Sequence, residues 1–166
     1  MIIRNELESD FEAISAVTKA AFENHPHSKH TEQFIVNALR AANALTVSLV
    51  AEIGGKVVGH IAFSPVTISD GSQNWYGLGP VSVLPKFQKQ GIGKSLIHEG
   101  LSMLKALEAK GCVLVGDPNY YERFGYKKLP DLTLDGVPPE YFLALAFEKN
   151  EARGGVVFHQ GFAADG

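Results

Sequence analysis

Apolar residues Phe11, Ile14, Val17, Ala21 and Phe22 recur at helical spacing and predict a helix over 9–23. Glu8-Ser9-Asp10 precedes them as an N-cap with acids in the first turn. Phe34, Ile35, Ala38 and Leu39 predict a second helix capped by Thr31, after a polar loop over 24–30. Extended segments are predicted at 1–4, at 46–52, at 56–64 and at 75–84. Gly54-Gly55 supplies a hairpin turn between the second and third of these, and 69–72 is a further turn. A third helix is predicted over 91–110, ended by Gly111. The unbroken apolar run Cys112-Val113-Leu114-Val115 reads as a central strand buried on both faces. A short helix over 119–124, a strand near Tyr126, a strand over 141–147 and a last strand over 156–158 complete the pattern.

The order β-α-α-β-β-β-α-β-α-β-β implies an α/β fold with one mixed sheet flanked by helices. The 166 residues suit a single domain with a substantial core. With 45% hydrophobic and 20% charged residues, the chain is globular rather than disordered. The net charge of −3 and the absence of a basic block give no support to a nucleic-acid partner. Cys112 is the one cysteine, so no intrachain disulfide forms and a reducing compartment is expected. The N-terminus turns acidic at once and is not expected to act as a signal peptide, and no apolar run is long enough to span a bilayer. The expected location is cytoplasmic, and both monomer and homodimer fit.

The segment from Pro80 to Leu96 carries the clearest chemistry. It reads as a strand, a glycine-bearing turn and a helix start, an arrangement that aims main-chain N–H groups at a phosphate. A nucleotide-triphosphate loop requires glycine five positions before Gly93-Lys94-Ser95, and Gln88 stands there. A dinucleotide fingerprint opening at Gly91-Ile92-Gly93 requires a third glycine, and Leu96 stands there. What remains is Q-x-x-G-x-G, formed by Gln88, Gly91 and Gly93.

This motif resembles the pyrophosphate-binding [RQ]-x-x-G-x-[GA] signature of the GNAT superfamily of acetyl-CoA-dependent acyltransferases. Two further segments carry the resemblance. Gly79-Pro80, ahead of the turn, suits a strand bulge. Tyr121-Glu122-Arg123-Phe124-Gly125-Tyr126 is similar to the family's Y-x-[KR]-x-G-[FY] motif, and Gly116 to Gly125 resembles the GDP-x-YY-x-RFG signature of small bacterial members. The resemblance covers residues 1 to about 147. It implies a GNAT-like fold and N-acetyl transfer from acetyl-CoA to a primary amine, by direct attack in a ternary complex. A non-catalytic acyl-CoA sensor or interaction module on the same fold is the alternative. Gln88, Lys89, Gln90, Gly91, Ile92, Gly93, Lys94 and Ser95 would then hold the pyrophosphate. Main-chain groups of Val81, Ser82 and Val83 would hold the pantetheine arm and polarise the thioester. Gln88 departs from the arginine many members carry, and so supplies less charge assistance.

The departing thiolate needs a proton, and a phenol of ordinary pKa about 10 is near it in basicity. Tyr121 holds the motif position for this role. Tyr120 is the second candidate, and structural packing of both rings is the alternative. Asn119 either contacts the CoA arm or caps the short helix. No motif fixes a general base: Glu32, His25, His27, His30 and His60 are candidates, and a water chain is the alternative. His60 reads as a satisfied core histidine. The loop histidines lack the cysteine or paired carboxylates of a metal site, so no metal is expected and the loop reads as solvated or as a substrate rim. Cys112 reads as an inert core thiol. The acceptor is not encoded in a motif, although the pI of about 6.1 suits a cationic amine.

Overall fold

The computed structural model describes residues 1–166. The strands are β1 (Ile2–Asn5), β2 (Val47–Ile53), β3 (Lys56–Ile68), β4 (Trp75–Val83), β5 (Gly111–Val115), β6 (Leu132–Thr133), β7 (Phe142–Ala146) and β8 (Gly154–Phe158). The helices are α1 (Phe11–Phe22), α2 (Glu32–Ala41), α3 (Ile92–Ala106) and α4 (Pro118–Tyr121), which runs on as a 3-10 turn over Glu122–Phe124. The mixed sheet has the order β1-β2-β3-β4-β5-β7, and β8 joins at the far end of β3 and pairs in turn with β6. All contacts are antiparallel except β4–β5 and β6–β8. The α/β architecture is the one expected.

Both faces of the sheet are covered. Leu96, Ile97 and Leu104 of α3 pack on Leu49, Ile61 and Phe63, and each such leucine contributes about 2 kcal/mol by burial. On the other face, Ile14, Val17 and Val36 of α1 and α2 pack on Val50 and Val57. α3 lies so close to β3 that a Cβ at Gly100 would stand 2.2 Å from Cε1 of Phe63.

Two features of β4 shape the site. Val81 pairs with Ile61 and Leu78 with Phe63, so Gly79 and Pro80 together oppose Ala62. This is the expected bulge; Gly79 has φ 144° and the Gly79–Pro80 bond is cis. The parallel ladder to β5 covers only Trp75–Gly77 opposite Gly111–Val113. Beyond Gly77 the two strands part.

Several boundaries differ from expectation. α3 ends at Ala106 rather than 110, and Glu108, not Gly111, takes the left-handed turn at φ 63°. Gly111 instead opens β5, where a Cβ would collide with the Trp75 ring at 2.5 Å. β3 runs past Ser64 to Ile68, because Val66–Ile68 exchange β4 for β8. Near Tyr126 there is only an isolated bridge, Lys127 to Ala144, and no strand. The two-residue β6 was not expected. Thr31 stands at the N-cap of α2 without a side-chain capping bond. The first helix begins at Phe11, after a 3-10 turn. Asp10 ends that turn by accepting from the Leu7 N–H at 2.7 Å and holding Arg4 at 2.7 Å.

Candidate active site

Two cavities lie beside the parted strands. The first, about 400 Å³, is lined by Val83, Gln88, Lys89, Gly91, Ile92, Gly93, Lys94 and Tyr120, together with Phe87 and Arg123. Lys89 (φ 63°) and Gly91 (φ 85°) bend the turn in left-handed conformations, and Gly91 stands at the N-cap of α3. Free N–H groups at that helix start face the cavity with the positive end of the helix dipole behind them. A Cβ at Gly91 would meet open space, and one at Gly93 only ordinary contacts with Val83 and Tyr120 at 3.8 and 3.9 Å. Packing therefore does not demand glycine at Gly93.

Gln88 uses its side chain internally, donating from Nε2 to the Val83 carbonyl at 3.0 Å. That bond also shows where the β4 edge points. The Leu84 N–H bonds Val58 and Ser82 faces His60 in the ladder. By antiparallel alternation, the main-chain groups of Val81 and Val83 are directed to the opposite edge, which β5 has left.

The structure does not bring every expected contact to this cavity. Gln90 is exposed and turns its amide back to the Lys86 carbonyl at 3.3 Å. Ser95 lies one turn into α3 and Asn119 is exposed, its N–H donating to Asp117 at 2.9 Å. Asp117 is thus the cap of α4, and Asn119 is not. The Ser82 side chain is buried without a hydrogen-bond partner. Arg123 and Phe87 were missed. Arg123 lies over the Tyr120 ring at 4.7 Å and fills the basic position of the tyrosine motif, which was the available signal.

Tyr120 and Tyr121 diverge. Tyr120 lines the cavity near Gly93. Tyr121 packs under the end of β5, where a Cβ at Gly116 would come 2.5 Å from its ring. Burial pushes its phenol up to about 12, with Tyr120 adding to the shift.

The second cavity, about 330 Å³, opens on the other side of the bulge. Leu78, Gly79 and Pro80 of β4 and Val115 at the end of β5 form its inner wall. Phe22, Ile35, Leu134, Phe158 and Phe162 add apolar surface, and Glu32 and Asp135 are its charged groups. Both Glu32 oxygens lie within reach of the Ser28 hydroxyl, at 2.7 and 2.9 Å. Of the candidate bases, Glu32 alone lines this cavity. His25, His27 and His30 do not, and they gather no metal-ligating group around them.

His60 is fully buried, bonds Ser48 Oγ through Nε2 at 2.8 Å, and leaves Nδ1 without a partner. Burial drives its pKa down to about 4, so it is neutral near pH 7. The expected core histidine is therefore satisfied at one nitrogen only. Ser48 and Arg40 bond Glu6 from the other side. Cys112 is buried and burial raises its thiol to about 12, which keeps it protonated.

A glycine turn at a helix start, beside strands that part at a bulge, is an arrangement that comparison with known proteins can decide. A model of the acetyltransferase (GNAT) family matches residues 11–129. The chain belongs to the GNAT family. Among GNAT relatives, the uncharacterized N-acetyltransferase YhbS of Escherichia coli (strain K12) is 36% identical over 128 residues, 76% of this chain and 74% of that one. A GNAT family acetyltransferase from Brucella melitensis, solved in complex with acetyl-CoA, is 50% identical with a TM-score of 0.87 over 97% of both chains. The structure of Escherichia coli YhbS in complex with CoA is 32% identical with a TM-score of 0.89, covering 99% of this chain and 93% of that one. No helix of this GNAT protein is long and apolar enough to cross a membrane.

Proposed function

We propose that this protein is an N-acetyltransferase that takes acetyl-CoA as donor and delivers the acetyl group to a primary amine in a ternary complex. The observation that carries the reading is the cavity at the α3 N-terminus, which takes in Val83 at the end of β4, the strand that β5 leaves beyond Gly77. The Brucella melitensis and Escherichia coli relatives, solved with acetyl-CoA and CoA, support that donor.

In this reading the helix-start N–H groups and Lys89, Lys94 and Arg123 take the phosphates, the three cations offsetting the charge that Gln88 lacks. The pantetheine arm runs along the free edge of β4, bonded by main-chain groups of Val81 and Val83. The neutral amine nitrogen attacks the thioester carbonyl carbon from the second cavity. An N–H of the β4 edge stabilises the oxyanion. The C–N bond forms and the C–S bond breaks. Tyr121 gives its proton to the leaving thiolate, and the proton released by the amine nitrogen restores the phenol. The products are the amide and CoA thiol. Tyr121 suits the role because it lies beneath the end of β5, whose Val115 walls the second cavity. Tyr120, near Gly93, sits toward the phosphates.

The second cavity favours an enzyme over a sensor module, since a sensor needs no acceptor space. The test is thiol release from acetyl-CoA with a panel of primary amines. Turnover above hydrolysis, lost in Tyr121→Phe, is expected. Hydrolysis-level release with every amine contradicts the reading.

A further inference from the structure

The acceptor cavity differs in chemistry from the donor cavity. Its walls are mostly apolar, with three aromatic rings from Phe22, Phe158 and Phe162. Its only charged groups are Glu32 and Asp135, and neither carboxylate is in a salt bridge with an arginine, lysine or histidine of the chain. A single Ser28 hydroxyl proton is shared between the two Glu32 oxygens, which leaves the carboxylate most of its accepting capacity. Ser28 is itself held, accepting from the His30 N–H at 2.9 Å, so Glu32 is oriented before any ligand arrives. Size is also limiting: about 330 Å³ lies at the lower end of small-molecule sites.

We infer that the acceptor is a small primary amine with an apolar body and no carboxylate, its ammonium drawn in by Glu32 and Asp135 and its body seated among Phe22, Phe158 and Phe162. This rests on the acetyl-transfer reading above. A cation entering this cavity meets two negative groups and no competing positive one. An amino acid of the same size brings its own carboxylate into the same field, where like charge and desolvation oppose it. A polyhydroxylated amine leaves hydroxyls unpaired against aromatic walls. The two carboxylates also work against the reaction once the ammonium is bound, because they favour the charged nitrogen. The acceptor therefore reacts better as pH rises toward its own pKa.

The test uses the full chain with 2-phenylethylamine, 4-phenylbutylamine, hexylamine, L-phenylalanine and spermidine as acceptors, together with calorimetric titration of CoA. The expected result is that at least one of the first three is acetylated with kcat/KM more than about tenfold above L-phenylalanine and spermidine. Glu32→Gln should raise the KM of that amine by about tenfold or more, the loss of one charge-assisted bond, with CoA affinity unchanged. Ser28→Ala should raise KM less. L-Phenylalanine or spermidine as the better substrate, no turnover of any apolar amine while CoA binds, or an unchanged KM in Glu32→Gln overturns the inference and leaves the donor assignment standing. Absence of CoA binding removes the acetyl-transfer reading itself.

Discussion

Tyr120 and Tyr121 are neighbours whose rings meet edge to face at 4.9 Å, yet they serve different spaces. Tyr120 borders the cavity at the α3 N-terminus and carries Arg123 across its face, whereas Tyr121 is turned under β5 against Gly116. The two phenylalanine variants should therefore separate. Tyr121→Phe is expected to lower kcat by about a hundredfold or more, the usual share of a general acid, with little change in CoA affinity. Tyr120→Phe is expected to leave kcat within about threefold, since the ring that supports Arg123 remains. Steady-state kinetics on both variants decides between the tyrosines, and the opposite ranking would move the acid role to Tyr120.

Arg123 also tests how the phosphates are held. Its Nε donates to the Tyr120 carbonyl at 2.9 Å, which places the exposed guanidinium beside the cavity. Arg123→Ala should weaken CoA about threefold to tenfold. The difference from the parent protein should shrink as salt is raised. Calorimetry at low and high ionic strength checks both statements.

The close approach of α3 to β3 makes Gly100 a stability determinant. Gly100→Ala forces a methyl toward Phe63, whose ring is fully buried and hemmed in on every side. Alanine normally favours a helix by about 1 kcal/mol over glycine. Here overpacking should win and the variant should be destabilised by about 1–3 kcal/mol. Urea unfolding monitored at Trp75 gives the number.

His60 predicts the acid limb of stability. Its folded pKa of about 4 lies below the ordinary imidazole value of 6.5, so between these pH values the unfolded chain binds a proton that the folded chain refuses. Stability from this residue is fully present above pH 6.5 and falls as the pH drops toward 4, by about 3 kcal/mol in total. Asp10 and Glu6 act lower. Asp10 is held below the usual carboxylate range by Arg4, and Glu6, which burial raises, is brought below it by Arg40 and Ser48. Both contributions are lost as the pH falls through the folded pKa values. In His60→Gln the slope between pH 6.5 and 4 should flatten, as read by denaturant melts across pH, whatever the variant's starting stability.

The glycine turn was legible in the sequence because it is local. Gly91 and Gly93 follow one strand and open one helix, and the spacing from Gln88 survives translation into geometry. The Gly79-Pro80 bulge was legible for the same reason. The second cavity was not. Phe158 and Phe162 reach it only because β8 pairs with the far end of β3, some ninety residues away in the chain, and no periodicity in either segment announces that pairing. Gly111 misled because a glycine after a helix resembles a C-cap, while its actual constraint is the Trp75 ring lying against it. The Ser95 and Gln90 side chains were assigned by proximity in sequence, and a helix start rotates neighbours away from one another.

Binding of acetyl-CoA to the parent protein and to Gly93→Glu tests the central claim most directly. Gly93 lies in the first turn of α3, where a Cβ would make only ordinary contacts with Val83 and Tyr120 at 3.8 and 3.9 Å, and a glutamate in a first helical turn is favourable to folding. The substitution should therefore leave the protein folded, which circular dichroism checks, while placing a negative charge in the cavity proposed to hold the pyrophosphate. Calorimetry should give one-to-one binding by the parent protein and a loss of about a hundredfold or more in the variant. No binding by the parent protein, or equal affinity in a folded Gly93→Glu variant, would contradict the account.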